Sequence, residues 1–271
     1  MKSKPMVLFR TSLVEENEFV AAGRYFDVIE RRTQIERGRL VIPRYSALPF
    51  NKELEQDVIA LGGTLINSNV EHSRLADIAA WYPSLAGLTP TTWLKLEDLR
   101  RDFAGPVVLK GRTNSKKHLW STCMFAANWG AVVAVHAQLL NDGYLCDQNI
   151  CAREYIPLRK LCDPVSPSGP PVAEEYRFFV LDGEVLCGGF YWSSYADDIT
   201  EPVSPDFVPE EFLFEVVERV RELARFIVID IARTEEGNWI VVELNDGQQS
   251  GLCGIAPNDL YQNLARALSE K

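Results

Sequence analysis

The sequence has no run of 18 consecutive apolar residues, although 46% of its 271 residues are hydrophobic. A helix that crosses a bilayer needs about 20 such residues, so we expect no membrane span and no membrane partner. Residues 1–9 also lack the long apolar segment and the small-residue cleavage site of a secretory signal. A cytoplasmic location is the expectation.

Basic tracts are also missing. The chain carries 28 Lys and Arg against 38 Asp and Glu, which gives a net charge of −10, and no segment concentrates the positive residues. Binding to a phosphate backbone depends on clustered positive charge. A nucleic-acid partner is therefore not expected.

The six cysteines are scattered, and no two of them form a Cys-x-x-Cys pair. The three histidines do not complete a zinc-binding spacing either. We therefore expect reduced thiols, mostly buried, rather than a structural zinc site.

What the sequence does contain is an alternation of short apolar strands and helices. In the first ninety residues, strands are predicted at 7–9, 40–42 and 64–66, with a helix capped by Asn51 between the last two. This order predicts a small α/β domain with a parallel sheet. Later strands are predicted at 106–110 and 150–156, and a hairpin turns at Asp182-Gly183. The fold class is α/β, with α+β lobes after the first domain.

The last two predicted strands, 226–232 and 238–244, carry the most informative chemistry. With a two-residue turn at Glu236-Gly237, Asp230 lies directly opposite Glu243, and Asn245 projects from the same face as Glu243. Two facing carboxylates must share a proton or hold a cation. Oxygen ligands of this kind favour magnesium. The alternative is a pair of edge strands whose acids face water.

The spacing of Asp230, Glu243 and Asn245 resembles the metal-binding signature of the ATP-grasp superfamily. Residues 106–110 are similar to the strand in that superfamily whose lysine contacts ATP. Over nearly its full length the chain is similar to the R2K clade of ATP-grasp proteins. The segments that carry this resemblance are 44–46, 66–68, 88–93, 153–158, 191–192 and 243–247.

The resemblance implies an ATP-grasp fold with ATP and Mg²⁺ as cofactors. It implies a pre-ATP-grasp α/β domain at residues 1–92, a small lobe at 93–153 and a C-terminal lobe at 154–271, the two lobes clasping ATP. The metal ligands would be Asp230, Glu243 and Asn245.

The resemblance also assigns residues to the nucleotide. The hinge at Glu154, Tyr155 and Ile156 would hold adenine, Glu175 would hold the ribose, and Arg177 would face the phosphates. The implied nucleotide-binding set is Lys110, Lys117, Arg153, Glu154, Tyr155, Ile156, Glu175 and Arg177, and the implied catalytic residues are Arg177, Lys110 and Lys117.

Some of these assignments have alternatives. Arg153 could instead pair with an acid, and Arg177 could be a surface arginine. The loop 111–118 has one glycine where many ATP-grasp enzymes have several, so lysines would replace a backbone cradle. Lys117 is preferred over Lys116 for this role, and a solvated basic loop is the other interpretation.

The implied reaction joins a carboxylate to an amine through an acyl phosphate, with a small-molecule, peptide or protein substrate. A phosphotransferase or a non-catalytic nucleotide-binding module is the alternative, and a homodimer is allowed for. Arg10, Arg44, Asn67 and Ser68 end predicted strands, where open α/β sheets bind ligands, and are acceptor-site candidates. The loop from Asp246 to Leu252 is either a substrate loop or a structural turn. His72 and His118 are general bases or structural groups.

Overall fold

A computed structural model describes residues 4–10, 16–99, 103–115, 117–143, 149–163 and 169–270. The strands are β1 Met6–Leu8, β2 Asp27–Ile29, β3 Leu40–Pro43, β4 Thr64–Leu65, β5 Thr92–Trp93, β6 Val107–Gly111, β7 Phe125–Ala126, β8 Ile150–Glu154, β9 Lys160–Cys162, β10 Val172–Ala173, β11 Glu175–Leu181, β12 Glu184–Phe190, β13 Phe226–Arg233 and β14 Trp239–Asp246. The helices are α1 Glu16–Tyr25, α2 Asn51–Ala60, α3 Asn69–Ala76, α4 Ile78–Trp81, α5 Trp120–Cys123, α6 Trp129–Leu140, α7 Glu210–Val220 and α8 Pro257–Ser269.

The amino-terminal sheet is parallel, as the alternation of strands and helices predicts. Its strand order is β2-β1-β3-β4, and every neighbouring pair is parallel. The predicted cap of α2 is wrong. Asn51 is already helical and Phe50 is the N-cap, without a side-chain hydrogen bond. The Asn51 amide oxygen instead accepts a hydrogen bond of 2.6 Å from Gln249 Nε2, which draws it towards the loop after β14.

The second sheet is antiparallel, with the order β5-β8-β6-β7. It places Lys110 on β6 beside Cys151 on β8, and α6 packs against it through Val132, Val135 and Leu139. The boundaries at 92/93 and 153/154 stay predictions. Strand β5 begins one residue before the first boundary, and β8 ends one residue after the second.

The third sheet, ordered β12-β11-β13-β14, is antiparallel and covered on both faces. Helix α7 contributes Val216, Val217 and Val220 to the core on one face, and α8 contributes Leu260 and Leu264 to the core on the other. All seven residues of β11 are therefore buried.

The turn between β11 and β12 was predicted correctly. The loop has two residues, and both have positive φ, 49° at Asp182 and 83° at Gly183. This is the backbone of a two-residue hairpin turn whose twist matches the flanking strands, and Asp and Gly adopt it most readily.

The β13–β14 hairpin pairs Asp230 with Glu243 as predicted, but by a different route. The turn has three residues, 235–237, closed by a 2.8 Å hydrogen bond from Thr234 N to Asn238 O. Between Asp230 and Ile231 the register shifts by one residue, since Ile231 pairs with Val241 and Val242 is left as a bulge. The extra turn residue and the bulged residue shift the strand register by one residue in opposite directions. The predicted two-residue turn is therefore wrong, and the predicted pairing of Asp230 with Glu243 is confirmed.

Within the described residues, no helix is long and apolar enough to cross a membrane. The five described cysteines are free thiols, but the expectation that they are mostly buried is wrong, since Cys151 is buried and the other four are partly exposed. Cys146 lies outside the described residues.

Asn67 connects the first domain to the third sheet. Its side chain is fully buried, donates to Phe226 O and Asp246 Oδ1 at 2.7 Å, and accepts from Phe226 N at 2.9 Å. We expect Asn67→Ala to lower the free energy of unfolding by about 2–4 kcal/mol, because it strands buried polar groups. Urea titration measures this.

The matched control for Asn67→Ala is Asn141→Ala. Asn141 is exposed, and among the described residues its side-chain amide donates to Ala137 O alone. We expect its substitution to change the stability by less than about 0.5 kcal/mol. Equal effects of the two substitutions would show that Asn67 does not hold the two sheets together.

Candidate active site

A cleft lies between the second and third sheets. One wall comes from β6 and β8 of the second sheet, and the other comes from β11 and β14 of the third sheet. The residues that line it are Pro90, Val108, Lys110, Ser115, Lys117, Trp120, Met124, Arg153, Glu154, Tyr155, Ile156, Leu158, Pro170, Pro171, Ala173, Glu175, Trp192, Ile240, Val242 and Glu243.

One part of this cleft is apolar. Trp120 and Phe125 contact the ring of Tyr155, at 6.1 and 5.0 Å between ring centroids, and Met124 and Ile240 complete the wall. The amides of Glu154 and Tyr155 already donate to Thr91 O and Pro106 O. In the described part of the chain, the Ile156 amide has no hydrogen-bond partner. A flat heteroaromatic ring fits such a pocket, with this amide available to it.

The opposite part of the cleft is strongly charged. Lys110 is buried and donates a short hydrogen bond to Glu243 Oε1. Lys117 Nζ lies 4.0 Å from Glu243 Oε2 and 3.2 Å from the hydroxyl of Tyr191. Burial alone would raise the pKa of Glu243, but the two lysines hold that pKa at about 2. The carboxylate is therefore ionised at any physiological pH, and both lysines lie next to it.

Arg177 pairs with Asp230 in a buried ion pair next to the cleft. Two parallel hydrogen bonds of 2.8 Å join Arg177 Nε and Nη2 to Asp230, whose side chain is 0% exposed. Burial disfavours the charged guanidinium, and Asp230 more than offsets this, so the pKa of Arg177 is raised. A third bond reaches Gly251 O at 3.0 Å. The alternative of a surface arginine is wrong.

The carboxylate pair is held by protein cations. Asp230 faces Arg177, Glu243 faces Lys110, and Asn245 Nδ2 donates to Asp230 Oδ2 at 3.2 Å. Strand β13 is interior to the sheet and Asp230 is fully buried, so the alternative of water-facing acids fails for Asp230. Within the described residues, no group of three His, Cys, Asp or Glu side chains is arranged to hold a metal.

The oxygen atoms present nevertheless fit a hard cation. The two carboxylate oxygens of Asp230 offer about four lone pairs, and three are used by Arg177 and Asn245. Glu243, which pairs with Asp230 across the hairpin, and Asn245, which contacts Asp230, carry further side-chain oxygens. Magnesium prefers a few such oxygens together with substrate phosphates. The metal set therefore stays a prediction that the donor atoms support.

Glu175 has the one clearly unsatisfied carboxylate oxygen of the cleft. Its Oε2 accepts from Trp192 Nε1 at 2.9 Å, whereas its buried Oε1 has no hydrogen-bond partner in the described part of the protein. Burial raises the pKa of Glu175 to about 7, against the lowering effect of Lys117. An unsatisfied acceptor that lines a cleft fits a donor from a ligand, such as a sugar hydroxyl.

The raised pKa predicts a pH-dependent stability. The folded pKa of about 7 lies above the ordinary value of 4.5, so the stabilising contribution of Glu175 is complete below pH 4.5 and is lost as the pH rises through 7. Glu175→Gln removes this loss. We expect the variant to gain about 1–3 kcal/mol relative to the wild type between pH 5 and pH 8, measured by urea unfolding in EDTA. Parallel pH profiles of the two proteins would contradict this assignment.

Arg153 has a role that neither sequence interpretation foresaw. Its Nη1 donates to Val242 O at 2.8 Å and its Nη2 to Thr89 Oγ1 at 2.8 Å, so it is not paired with an acid. Val242 is the bulged residue of β14, directly before Glu243. Arg153 therefore fixes the bulge that aims Glu243, while its buried Nε is left without a partner within the described residues.

Most of the acceptor-site candidates from the first domain form hydrogen bonds with other groups of the protein. Arg44 is buried and binds Glu18 and Gly247 O, and Asn67 binds Asp246. Ser68 caps α3, and Arg10 is exposed at the end of β1. Arg44 and Asn67 thus anchor the loop that begins at Asp246, and their side chains do not line the cleft.

His72 belongs to the same anchoring network. Its Nδ1 lies 2.9 Å from Asp246 Oδ2, and Gln248 Nε2 donates to that oxygen at 2.8 Å. His72 does not line the cleft, so the structural interpretation fits it. The side chain of His118 and all of Lys116 lie outside what the structure describes.

Two site residues received no role from the sequence. Tyr191 contacts Lys117 and Arg177, and Trp192 binds Glu175. Both follow β12, and the Tyr191 amide donates to Glu175 O at 2.9 Å. The only available signal was that residues 191–192 lie within the R2K resemblance.

Comparisons with known proteins agree with this architecture. A family profile described as an ATP-grasp domain of R2K clade family 3 matches residues 96–264. A search of curated proteins finds no match.

Several solved structures share the fold. An ATP-grasp RimK domain protein from Sphaerobacter thermophilus has 15% identity and a TM-score of 0.59, with 95% of this chain and 98% of that chain covered. The D-alanine–D-alanine ligase of Bacillus anthracis, complexed with ATP, has 12% identity and a TM-score of 0.60, with coverages of 99% and 96%. The ATP-grasp ligase PsnB, complexed with a precursor peptide and AMPPNP, has 15% identity and a TM-score of 0.57, with coverages of 100% and 97%.

At these identities the solved structures show the fold alone. The family profile covers well over half of the sequence and includes β6, β8, β11, β13 and β14, which form the cleft. The chain therefore belongs to family 3 of the R2K clade of ATP-grasp domains.

Proposed function

We propose that this protein is an ATP- and Mg²⁺-dependent ligase that joins a carboxylate to an amine through an acyl phosphate. The observation that carries the proposal is that Lys110 and Lys117 line one part of a cleft whose other part is apolar, with Arg177 close by on the far side of Tyr191. A nucleotide has the same division, with a flat base at one end and phosphates at the other.

Each wall of the cleft has a defined task in this proposal. The Ile156 amide and the apolar pocket bind the base, and Glu175 Oε1 accepts from the ribose. Lys110 and Lys117 bind phosphate oxygens. We propose the lobe boundaries at 92/93 and 153/154 accordingly, so that the cleft lies between the small and C-terminal lobes.

Asp230, Glu243 and Asn245 would hold Mg²⁺, which supplies positive charge between the phosphates and the protein carboxylates. Arg177 is positioned by Asp230 to stabilise the charge that develops when a substrate carboxylate attacks the terminal phosphorus. The carboxylate–phosphorus bond forms as the bond to ADP breaks. An amine then displaces phosphate and gives the amide. Positioning and electrostatics carry this reaction, so it needs no protein nucleophile.

The substrate class is a small-molecule, peptide or protein carboxylate together with an amine. Support for this breadth comes from the neighbours of the same fold, which include a D-alanine–D-alanine ligase and a ligase bound to a precursor peptide. Cytoplasmic location is proposed with it, since ATP is the cosubstrate.

Hydroxylamine tests the proposal because it intercepts acyl phosphates. The purified protein is incubated with Mg·ATP, hydroxylamine and a pool of amino acids and short peptides, and products are followed by mass spectrometry. Hydroxamate formed together with equimolar ADP is the expected result. A phosphorylated pool component that hydroxylamine does not cleave would identify the protein as a phosphotransferase and not a ligase. Nucleotide binding without any turnover would favour a binding module.

A further inference from the structure

Tyr191 lies where two cations of the proposed phosphate site meet. Lys117 Nζ is 4.8 Å from the centre of the Tyr191 ring, and the Arg177 guanidinium carbon is 4.9 Å from it. The charged groups of Lys117 and Arg177 are therefore less than 10 Å apart. Two like charges at that separation repel, and the negative face of an aromatic ring offsets part of the repulsion.

The contact with Lys117 joins two parts of the chain that are distant in sequence. Lys117 lies in the segment between β6 and α5 of the second sheet, whereas Tyr191 directly follows β12 of the third sheet. Lys117 Nζ donates to the Tyr191 hydroxyl at 3.2 Å, across 74 residues. Tyr191 therefore docks the loop that carries Lys117 onto the opposite wall of the cleft.

The alternative partners of Lys117 are carboxylates. Glu243 Oε2 is 4.0 Å away, and Glu175 is the strongest of the nearby charges that raise the pKa of Lys117 against its burial. The Tyr191 hydroxyl, at 3.2 Å, lies closer to the Lys117 ammonium than Glu243 Oε2 does. A phenol hydroxyl accepts a hydrogen bond without neutralising the donor.

We propose that Tyr191 is a positioning residue that holds Lys117 ready for the terminal phosphate of a nucleotide, and this rests on the proposed function. Arg177 is already fixed by two hydrogen bonds to Asp230, so the effect of Tyr191 acts mainly through Lys117. The hydroxyl holds Lys117 through the hydrogen bond and the ring packs beside both cations, and two substitutions separate these contributions. Tyr191→Phe keeps the ring, and Tyr191→Leu removes both.

Isothermal titration with AMP, ADP and AMPPNP in Mg²⁺ tests this. Tyr191→Leu should weaken AMPPNP binding by about tenfold and Tyr191→Phe by about twofold to threefold. AMP binding should change by less than about twofold in both variants, since AMP lacks the terminal phosphate. Tyr195→Leu is the matched control. Its ring packs on Trp192 at 6.0 Å and has no cation contact among the described residues.

A double-mutant cycle shows whether Tyr191 acts through Lys117. Lys117→Met and the double variant Lys117→Met/Tyr191→Leu should bind AMPPNP equally, within about twofold. Independent additive losses would overturn the proposal, and so would equal losses of AMP and AMPPNP in Tyr191→Leu. If Tyr191→Leu does not fold, Tyr191→Phe decides through the same ratio of AMPPNP to AMP affinity. A wild-type protein that binds none of the three nucleotides would remove the proposed function itself, and this inference with it.

Discussion

Replacing Arg177 with methionine is expected to lower the free energy of unfolding by about 3–5 kcal/mol and to abolish ATP turnover. Methionine leaves the Asp230 carboxylate, which is 0% exposed, without its two hydrogen bonds from the guanidinium. An uncompensated buried charge is among the largest single destabilising effects. Urea unfolding at pH 7 and ADP release in the hydroxylamine assay measure the two effects.

The matched control is Arg225→Met. Arg225 also pairs with a carboxylate through two hydrogen bonds, of 2.9 Å each to Asp182, but 40% of its side chain is exposed. An exposed pair contributes at most about 1 kcal/mol, so this substitution should cost no more than that. ATP turnover should stay unchanged.

A second substitution tests the cause of the lost stability. In Arg177→Met/Asp230→Asn the buried charge is gone, so we expect much of the lost stability to return. Turnover should stay absent because Asp230 is also a proposed metal ligand, and its recovery would mean that neither Arg177 nor Asp230 is needed for the reaction.

Glu243→Gln is expected to lower ATP turnover at least about a hundredfold, the usual cost of one preorganised electrostatic contact. The pKa of Glu243 is held at about 2, so its role rests on a permanent negative charge that glutamine of nearly the same shape removes. ADP release under saturating Mg·ATP measures the effect. Circular dichroism should show an unchanged fold, because an amide oxygen can still accept from Lys110.

The control for this prediction lies in the turn of the same hairpin. Glu236 is exposed between β13 and β14, and Glu236→Gln removes one negative charge outside the cleft. Its turnover should match the wild type. Equal turnover in Glu243→Gln and Glu236→Gln would remove Glu243 from the metal set.

Much of the fold follows from local patterns in the sequence. The Asp182-Gly183 turn and the parallel first sheet were predicted correctly because each depends on turn chemistry or on the order of adjacent elements. The pairing of Asp230 with Glu243 was predicted from a turn that the structure does not have. The bulge at Val242 restored the register, and that bulge depends on Arg153 and Thr89, which are distant in sequence.

For the candidate site, Lys110, Glu175 and Arg177 were assigned from the resemblance to ATP-grasp strands, and strand alternation added that Glu175 and Arg177 share a face. Lys110 and Glu175 line the cleft and Arg177 forms an ion pair next to it, while their binding roles stay predictions. Arg44 and Asn67 were assigned to a substrate site because they end strands. Their partners Gly247 and Asp246 lie about 180–200 residues away, so only the folded chain shows that they anchor a loop.

The position of Tyr191 between two cations could not be predicted from the sequence either. A tyrosine after a strand carries no distinctive sequence signal, and its importance comes from two cations brought to one ring by separate sheets. Long-range polar contacts of this kind are outside the reach of periodicity and local propensity.

We expect the cleft between the second and third sheets to bind a magnesium nucleotide. Isothermal titration of the wild-type protein with AMPPNP, once with Mg²⁺ and once with EDTA, measures this binding. We expect one site per chain, and binding at least about tenfold tighter with Mg²⁺, because Asp230, Glu243 and Asn245 provide oxygen ligands beside the phosphates. Absence of binding in both titrations would contradict the nucleotide site, and equal affinity in both would contradict the metal site.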